Sequence, residues 1–500
     1  MVTGFPLVAI RSFIQATRDS GYKSTSAAVS ELVDNAFEAE ATCVRVEVNE
    51  DPRGEKRLSV SDNGHGMAPT IMQLALQFGG STRFNFRQGA GRYGMGLPNG
   101  SLSQARRVDL YSWSNPHKIW STYLDVDEIA SGVLDGVPRP VRFKPGSAKD
   151  YPETPSGTVI ALSKCDKLDY RTVKAQAKRL NLDLGRIFRQ RLYQDKQILV
   201  NGDAVAPLDP IFLHPSGSLC AAEPYGPPLE YQVRTPVPVA GHPVSKIQVR
   251  FVLLPVEKWH SLSNEQKNQA GISSGAGVSI VRAGREIDYG WYFMGNKRRE
   301  NYDDWWRCEV SFEPVLDELF GVTHTKQKIN PTVELNEILV PDLERVAREL
   351  NGIVRKRYTE VRTAEFSGRA IAAAEQRDVR MEPLPLRRSA HASHAQGRAL
   401  WRKVEYAIDH KPLDEVSFYV PALRRDKLLL TLNQEHSFFT KIYEPLFADN
   451  QGIPNSLLGY LQLLLLSVAR AECNIRSRQD RDAVKRLREE WSNALTAFLD

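Results

Sequence analysis

The chain has 500 residues and a net charge of +6 at pH 7, with 42% hydrophobic and 25% charged residues. These values are ordinary for a soluble globular protein, and the length exceeds what a single hydrophobic core supports, so we expect two to four domains. The longest apolar stretch, LLGYLQLLLLSVA at 457–469, is too short to span a bilayer and predicts a buried helix. The pattern therefore gives no indication of membrane partners.

The N-terminal segment MVTGFPLVAIRSFIQATRDSG lacks a signal-peptide pattern, so we expect a cytoplasmic protein. The cysteines fit a reducing compartment, because their number is odd and no CxxC pair occurs. They are Cys43, Cys165, Cys220, Cys308 and Cys473.

Positive charge is concentrated between 355 and 411, a segment that contains 13 Lys and Arg but only 7 Asp and Glu. This local excess of +6 equals that of the whole chain. It can attract DNA or another anionic partner, although a solvated basic helix face gives the same pattern.

The first informative helix contains ELVDNAFEAE at 31–40. Spacings of three, four and seven place Glu31, Asp34, Asn35 and Glu38 on one face, while apolar residues occupy the other. Taken alone, this pattern indicates an ordinary amphipathic helix with a solvated polar face.

Several strands follow up to about residue 208, which predicts an α+β layered sandwich, with one long helix at 170–193. The predicted strands lie at 42–48, 57–64, 105–114, 118–126, 157–163 and around QILVNG. From 209 to 350, KIQVRFVLLP, GVSIVRAGREI and RCEVSFE indicate a second sheet, followed by helices at 313–320 and 333–358. We expect a mostly helical region at 351–500, with a linker near 382–397.

Two glycine-rich segments carry most of the chemical information. VSDNGHGM at 60–67 places an Asp at a strand end before a tight turn, and FGGSTRFNFRQGAGRYGMGL at 78–97 precedes a helix. Glycine-rich backbone at a helix N-terminus offers N–H groups to phosphate. GAGRYG at 89–94 matches GxGxxG, but a polar loop rather than a strand precedes it, so it does not indicate a dinucleotide site. GxxxxGK[ST] does not occur.

The order ELVDNAFEA, SDNGHGM, GRYGMG and SGT resembles the GHKL (Bergerat-fold) ATPases: gyrase B, the heat-shock-protein-90-type chaperones, histidine kinases and MutL. The resemblance covers roughly the first 200 residues. It is strongest to the MORC-type ATPases and their bacterial relatives, in the ELVDNA helix, FGGST and the GxYGxGLxxGS segment. It implies ATP and Mg²⁺ as ligands and an α/β sandwich fold.

The resemblance also implies residue roles. Glu31 matches the general base that orients the attacking water, and Asn35 matches the Mg²⁺ ligand. Asp34 and Glu38 are not expected to be catalytic. The remaining matches are to nucleotide-binding residues: Asp62, which would accept a hydrogen bond from the adenine amino group, Gly64, Gly66 and Met67 at the base, Gly91, Gly94 and Gly96 at the phosphates, and Thr158 on the base side.

The second domain resembles the transducer domain of the gyrase, MutL, MORC and chaperone branch, which lends a cation to the γ-phosphate. Within ELFGVTHTKQKINPT, Lys326 is the first candidate and Lys328 the second; Arg282 and Arg285 are a third possibility. A solvated loop lysine would give the same pattern.

We therefore expect a Mg²⁺-dependent ATPase that acts as an ATP-gated, dimerising switch in DNA transactions or bacterial genome defence. The alternatives are a chaperone-like or signalling module that recruits a protein effector, and a nucleotide-binding scaffold without turnover. Zinc-finger cysteines and an inserted coiled coil, both typical of MORC proteins, are not evident in the sequence.

Overall fold

The computed structural model describes residues 8–80, 94–144, 154–214, 219–239, 242–273, 275–323, 328–382, 384, 404–424, 427–446 and 455–500. The chain forms two compact units. The first comprises Met1–Pro255 and Leu262–Asn351, and the second comprises Val256–Ser261 and Gly352–Asp500.

The first unit begins with an eight-stranded sheet covered by helices. Its strands are β1 (Cys43–Glu50), β2 (Lys56–Asp62), β3 (Ala105–Trp113), β4 (Ile119–Asp125), β5 (Val141–Phe143), β6 (Gly157–Cys165), β7 (Gln197–Val200) and β8 (Asp203–Ala204). Their spatial order is β5-β4-β3-β6-β2-β1-β7-β8, with only the β1–β7 pair parallel among these strands. The helices are α1 (Ile10–Asp19), α2 (Thr25–Glu38), α3 (Pro69–Leu76), α4 (Gly96–Leu102), α5 (Val126–Ser131), α6 (Val173–Ile187) and α7 (Arg189–Leu192).

The core of this layer follows from two sequence periods. Every second residue of β1, namely Val44, Val46 and Val48, is completely buried, as expected for a strand with one face on the core. Helix α2 buries Leu32 and Val33 in the same hydrophobic cluster. The predicted α+β sandwich is therefore confirmed.

The second sheet of the first unit is formed by β9 (Glu223–Pro224), β10 (Leu229–Val239), β11 (His242–Leu253), β12 (Val278–Arg282), β13 (Arg285–Gly290) and β14 (Trp306–Phe312). Its main order is β10-β11-β14-β12-β13, and β9 pairs with β11. Strands β12 and β13 form a hairpin whose two connecting residues, Ala283 and Gly284, have φ values of 48° and 83°. Two consecutive positive φ angles are typical of a two-residue hairpin turn. Helix α8 (Val256–Trp259) belongs to the second unit. The first unit continues with α9 (Asn264–Gln269), α10 (Asp317–Phe320) and short 3₁₀ turns at Asn301–Trp305 and Pro314–Leu316.

The second unit is largely helical, as predicted, but it also contains a three-stranded sheet that the sequence analysis did not predict. Helix α11 (Val333–Asp378) starts in the first unit and extends twenty residues beyond its predicted end at 358. Strands β15 (Glu405–Lys411), β16 (Tyr419–Arg424) and β17 (Lys427–Asn433) follow, then a π-helical turn at Phe439–Tyr443, a 3₁₀ turn at Glu444–Leu446, and helices α12 (Asn455–Asn474) and α13 (Arg478–Leu499). Leucines of β17 and α12 share one core. In the part of the chain that the structure describes, no helix is long and apolar enough to cross a membrane.

Candidate functional site

Helix α2 presents the predicted acidic stripe on the inside of the fold rather than to solvent. Its N-terminus is capped by Ser24, whose hydroxyl accepts a hydrogen bond from the Ala27 N–H, so the helix begins at a fixed residue. Glu31 is only 3% exposed and Asp34 is 8% exposed, whereas Asn35 is half-buried. Since buried carboxylates need charged or hydrogen-bonding partners, we expect polar or charged groups to contact this face.

Asp62 ends strand β2 on the buried face of the sheet. Leu58 and Val60 precede it at two-residue intervals and are buried, so Asp62 continues their inward row. The Gly64 N–H donates a hydrogen bond of 2.8 Å to its Oδ1 atom. Burial raises the pKa of the Asp62 carboxyl to about 6, although that backbone hydrogen bond opposes the shift.

Thr158 lies directly beside Asp62, because the register of β2 and β6 pairs these two residues. The Thr158 hydroxyl lies 3.0 Å from the Ser112 hydroxyl of β3, and the Met67 N–H donates to Ser112 at 2.8 Å. Asp62, Met67 and Thr158 therefore come together as predicted neighbours. Ser112 connects them and was missed, because nothing in the composition of β3 distinguishes this serine from its neighbours.

Gly66 is required by its backbone conformation. Its φ is +70°, and a Cβ at this position would lie 2.1 Å from the Trp113 carbonyl oxygen. Only glycine allows the turn after Asp62 to pack this closely against strand β3.

The glycine-rich segment 78–97 is described at its two ends only, and Gly91 lies outside the described residues. The Gly94 carbonyl accepts a hydrogen bond of 3.1 Å from the Gly79 N–H, which joins the two ends. At Gly96, the first residue of α4, an added Cβ would lie 2.3 Å from the Oε1 atom of Glu31. The end of this segment therefore lies directly against the predicted general base.

Arg285 brings a cation from the second sheet to the same carboxylate. It lies at the start of β13, immediately after the hairpin turn, and is buried. Its Nη1 atom lies 3.4 Å from Oε2 of Glu31 and also pairs with the Asp34 carboxylate. Burial lowers the pKa of the Arg285 guanidinium, and the charge of Glu31 opposes this shift. Burial, together with the charge of Glu31, raises the pKa of the adjacent Tyr22 hydroxyl.

The other predicted cations are placed differently. Arg282 forms two hydrogen bonds, of 2.6 and 2.7 Å, with the buried carboxylate of Asp317, the first residue of α10, and so has a structural partner there. Lys328 is exposed, and Lys326 lies outside the described residues. Of the candidates whose side chains the structure describes, Arg285 is the one that contacts Glu31.

A buried ionic network fixes the base of the hairpin to the first sheet's helices. Glu286 accepts hydrogen bonds from Arg186 at 2.6 Å and from Arg189 at 2.9 Å, and Arg189 also pairs with Glu309 of β14. A buried arginine between two carboxylates has its charge compensated. This network therefore holds the start of β13, and with it Arg285, close to the site. The network was not predicted, because its members lie about 100 residues apart in the chain.

Residues 22–145 match the family model described as histidine kinase-, DNA gyrase B-, and HSP90-like ATPase. ATPase MORC2B of Mus musculus is 42% identical over 88 residues, which cover 17% of this chain and 9% of that protein. ATPase MORC2 of Homo sapiens is 35% identical over 99 residues, covering 19% and 10% respectively. Protein MICRORCHIDIA 7 of Arabidopsis thaliana is 29% identical over 113 residues, covering 22% and 16%.

Among solved structures, a crystal structure of the N-terminal domain of a DNA repair protein aligns with a TM-score of 0.41 and 15% sequence identity. The alignment covers 67% of this chain and 98% of that one. The regions that match this chain make up only 9% to 16% of the length of the three MORC-type relatives. The likeness is thus to one domain of those proteins, and residues 22–145 lie in a GHKL-type ATPase domain whose sequence is MORC-like.

Proposed function

We propose that the chain is a Mg²⁺-dependent ATPase that converts ATP and water to ADP and phosphate. The observation that carries this proposal is the buried Glu31 carboxylate, which lies beneath Gly96 and is paired with a cation from a second sheet. Glu31 would orient the attacking water, since a carboxylate can hold a water in line and accept its proton.

The residues present fit an adenine nucleotide. Asp62 is a buried carboxylate whose second oxygen can accept a hydrogen bond from an exocyclic amino group. Thr158 and Ser112 place hydroxyls beside it, and the Gly66 turn allows the backbone to approach a flat base. The phosphates would lie toward Gly94 and Gly96.

The residues also fit a magnesium ion. Asn35 is half-buried one helical turn from Glu31 and would supply a neutral oxygen ligand, as suits a hard cation that is shared with phosphate groups. When bound, the ion would neutralise charge on the phosphates. Lys326, which follows α10 in the sequence, would add a second positive charge near the γ-phosphate.

We further propose that ATP acts as a switch. Binding would join two copies of the N-terminal domain, and hydrolysis would release them. The output would be a DNA transaction or genome defence, supported by the basic segment 355–411 and by the similarity to MORC-type proteins. DNA binding through that segment would weaken steeply with salt, because phosphate contacts release counterions.

The deciding experiment combines phosphate release with light-scattering mass. Wild type, Glu31→Gln and a control, Glu47→Gln on the exposed face of β1, are compared with ATP, with a non-hydrolysable analogue and without nucleotide. We expect Glu31→Gln to bind ATP but to lose at least about a hundredfold in turnover. We expect mass doubling with the analogue, which persists in ATP only for Glu31→Gln. Turnover equal to wild type in Glu31→Gln would refute the catalytic assignment, and constant mass in every condition would refute the switch.

A further inference from the structure

Arg285 covers the carboxylate that the proposed reaction needs. The two-residue turn at Ala283 and Gly284 reverses the chain so tightly that Arg285 is paired with Arg282 at the first position of β13. Its side chain nevertheless extends away from the second sheet to α2, where it contacts Glu31 and Asp34. One cation thus serves two carboxylates that lie three residues apart on one helix.

Both oxygens of Glu31 are close to protein atoms in this arrangement. Oε2 lies 3.4 Å from Nη1 of Arg285, and Oε1 lies against the backbone at Gly96, where an added Cβ would be only 2.3 Å away. A general base must offer an oxygen within hydrogen-bond reach of the water it orients.

From these contacts we propose that Arg285 is a positioning residue that withholds Glu31 from water, so that ATP hydrolysis requires this ion pair to open. The inference rests on the proposed ATPase activity. An incoming triphosphate brings negative charge close to Glu31, and guanidinium groups bind phosphate oxygens strongly and often through two hydrogen bonds. The phosphate therefore competes with Glu31 and Asp34 for Arg285 and exposes the base when substrate is present.

The hairpin links this release to the second sheet. Glu286, the next residue, is held by Arg186 and Arg189, and the Gly284 turn lies near Gln190 of α7. A displacement of Arg285 away from Glu31 would therefore also shift β13, the last strand of the second sheet. Opening of the Arg285–Glu31 ion pair would thus couple nucleotide binding to a movement of that sheet.

The test measures kcat and KM for ATP hydrolysis in wild type, Arg285→Gln and Arg285→Lys. Arg299→Gln is the matched control, because Arg299 is an exposed arginine that follows the same hairpin. We expect Arg285→Gln to raise kcat about threefold or more while KM changes less, and Arg299→Gln to match wild type. Arg285→Lys should give a smaller increase, since an ammonium keeps the charge but lacks the planar fork that bridges two carboxylates.

A merely structural role cannot produce an increase in kcat. If kcat fell in both Arg285 variants, or stayed at the wild-type value in both, the proposal would be overturned. If Arg285→Gln failed to fold by circular dichroism, Arg285→Lys would decide, since it retains the buried positive charge. Failure of the ATPase assignment gives a different result, namely no hydrolysis by wild type or equal hydrolysis by Glu31→Gln.

Discussion

Gly96 and Glu31 lie so close together that a methyl group at position 96 would be 2.3 Å from Oε1 and 2.9 Å from Cγ of Glu31. Non-bonded atoms essentially never approach a Cβ atom this closely, so either the start of α4 or the Glu31 side chain would have to move. Glu31 can thus keep its orientation on α2 only because residue 96 has no side chain.

We therefore expect Gly96→Ala to lower ATP turnover by at least about tenfold, because a displacement of about 1 Å at a reacting group can cost a hundredfold in rate. Gly136→Ala is the control, since nothing lies within 4 Å of an added Cβ there and its φ is ordinary. Phosphate release and thermal unfolding are measured for both variants. Wild-type turnover in Gly96→Ala would show that the contact does not constrain Glu31.

Asp62 should make stability depend on pH. Its pKa is raised to about 6 in the fold from a usual value of 3.8, so the fold favours the protonated form. The stabilising contribution is fully present below about pH 4 and is lost as the pH rises through about 6. Asp62→Asn, which does not titrate, should therefore melt at a higher temperature than wild type at pH 7 and show little difference at pH 4.

The control for this prediction has the opposite sign. Arg106 and Lys164 lower the pKa of the exposed Asp127 carboxyl to about 2. Asp127→Asn should therefore be slightly less stable than wild type at pH 7, with the difference shrinking as the pH falls toward 2, and small throughout because the pair is solvated. Melting curves without nucleotide, from pH 2 to pH 8, measure both variants. A pH-independent difference for Asp62→Asn would contradict the burial argument.

Arg189 should be a major contributor to stability. It lies between Glu286 and Glu309, and its removal would leave the buried Glu309 carboxylate without this cation and Glu286 with Arg186 alone. We expect Arg189→Met to lower the free energy of unfolding by about 3–5 kcal/mol. Arg179→Met, which breaks an exposed pair with Asp183 on α6, should cost about 0.5 kcal/mol or less. Chemical denaturation of both variants gives the comparison, and equal midpoints would contradict it.

A reversible cross-link can test whether the hairpin must move during turnover. A Cβ added at Gly284 would lie 4.0 Å from Cβ of Gln190, within the range of disulfides. The double variant Gly284→Cys/Gln190→Cys should hydrolyse ATP more slowly when oxidised than when reduced. A non-glycine residue at φ +83° adds a strain of about 1–2 kcal/mol, but this strain is present in both redox states.

The single variants Gly284→Cys and Gln190→Cys serve as controls, because neither can form the cross-link. Their turnover should not depend on oxidation. If the oxidised and reduced double variants turned over equally, the Arg285 side chain could release Glu31 without movement of the hairpin.

Lys326→Ala should retain nucleotide binding and lose turnover, since a cation that acts on the transferring phosphoryl group stabilises the transition state more than the bound substrate. Lys328→Ala is the natural comparison, because it removes a positive charge two residues away. Calorimetric affinity for ATP and steady-state turnover separate the two effects. Hydrolysis at the wild-type rate in Lys326→Ala would contradict the assignment and leave Lys328 as the remaining lysine candidate.

The sequence predicted the local elements well, because their periods are local. The alternating valines of β1 and the apolar face of α2 need only a few neighbouring residues to be recognised. The glycine motifs likewise indicated that Asp62 and Gly96 occupy special positions. The C-terminal sheet was missed, since KLLLTLN of β17 is a short apolar run without a strict strand or helix period.

Contacts between distant residues could not be predicted. Arg285 and Glu31 are 254 residues apart, and their pairing depends on the hairpin turn, the register of β12 and β13, and the Glu286 network. The sequence placed Arg285, together with Arg282, third behind Lys326 and Lys328. It shows the charge of an arginine but not where its side chain points in the fold. Ser112 gave no signal at all, since its role arises from the register of β3 and β6.

The position of Asp62 at the end of an alternating strand has a consequence for folding. Because Leu58, Val60 and Asp62 share the inward face of β2, a shift of one residue in its pairing would turn all three outward and place Ser59 and Ser61 inside. A mispaired sheet would lose hydrophobic burial and the proposed adenine acceptor together. Quality control that removes poorly packed chains would therefore also remove the chains that lost the proposed adenine acceptor through mispairing, without any check on activity.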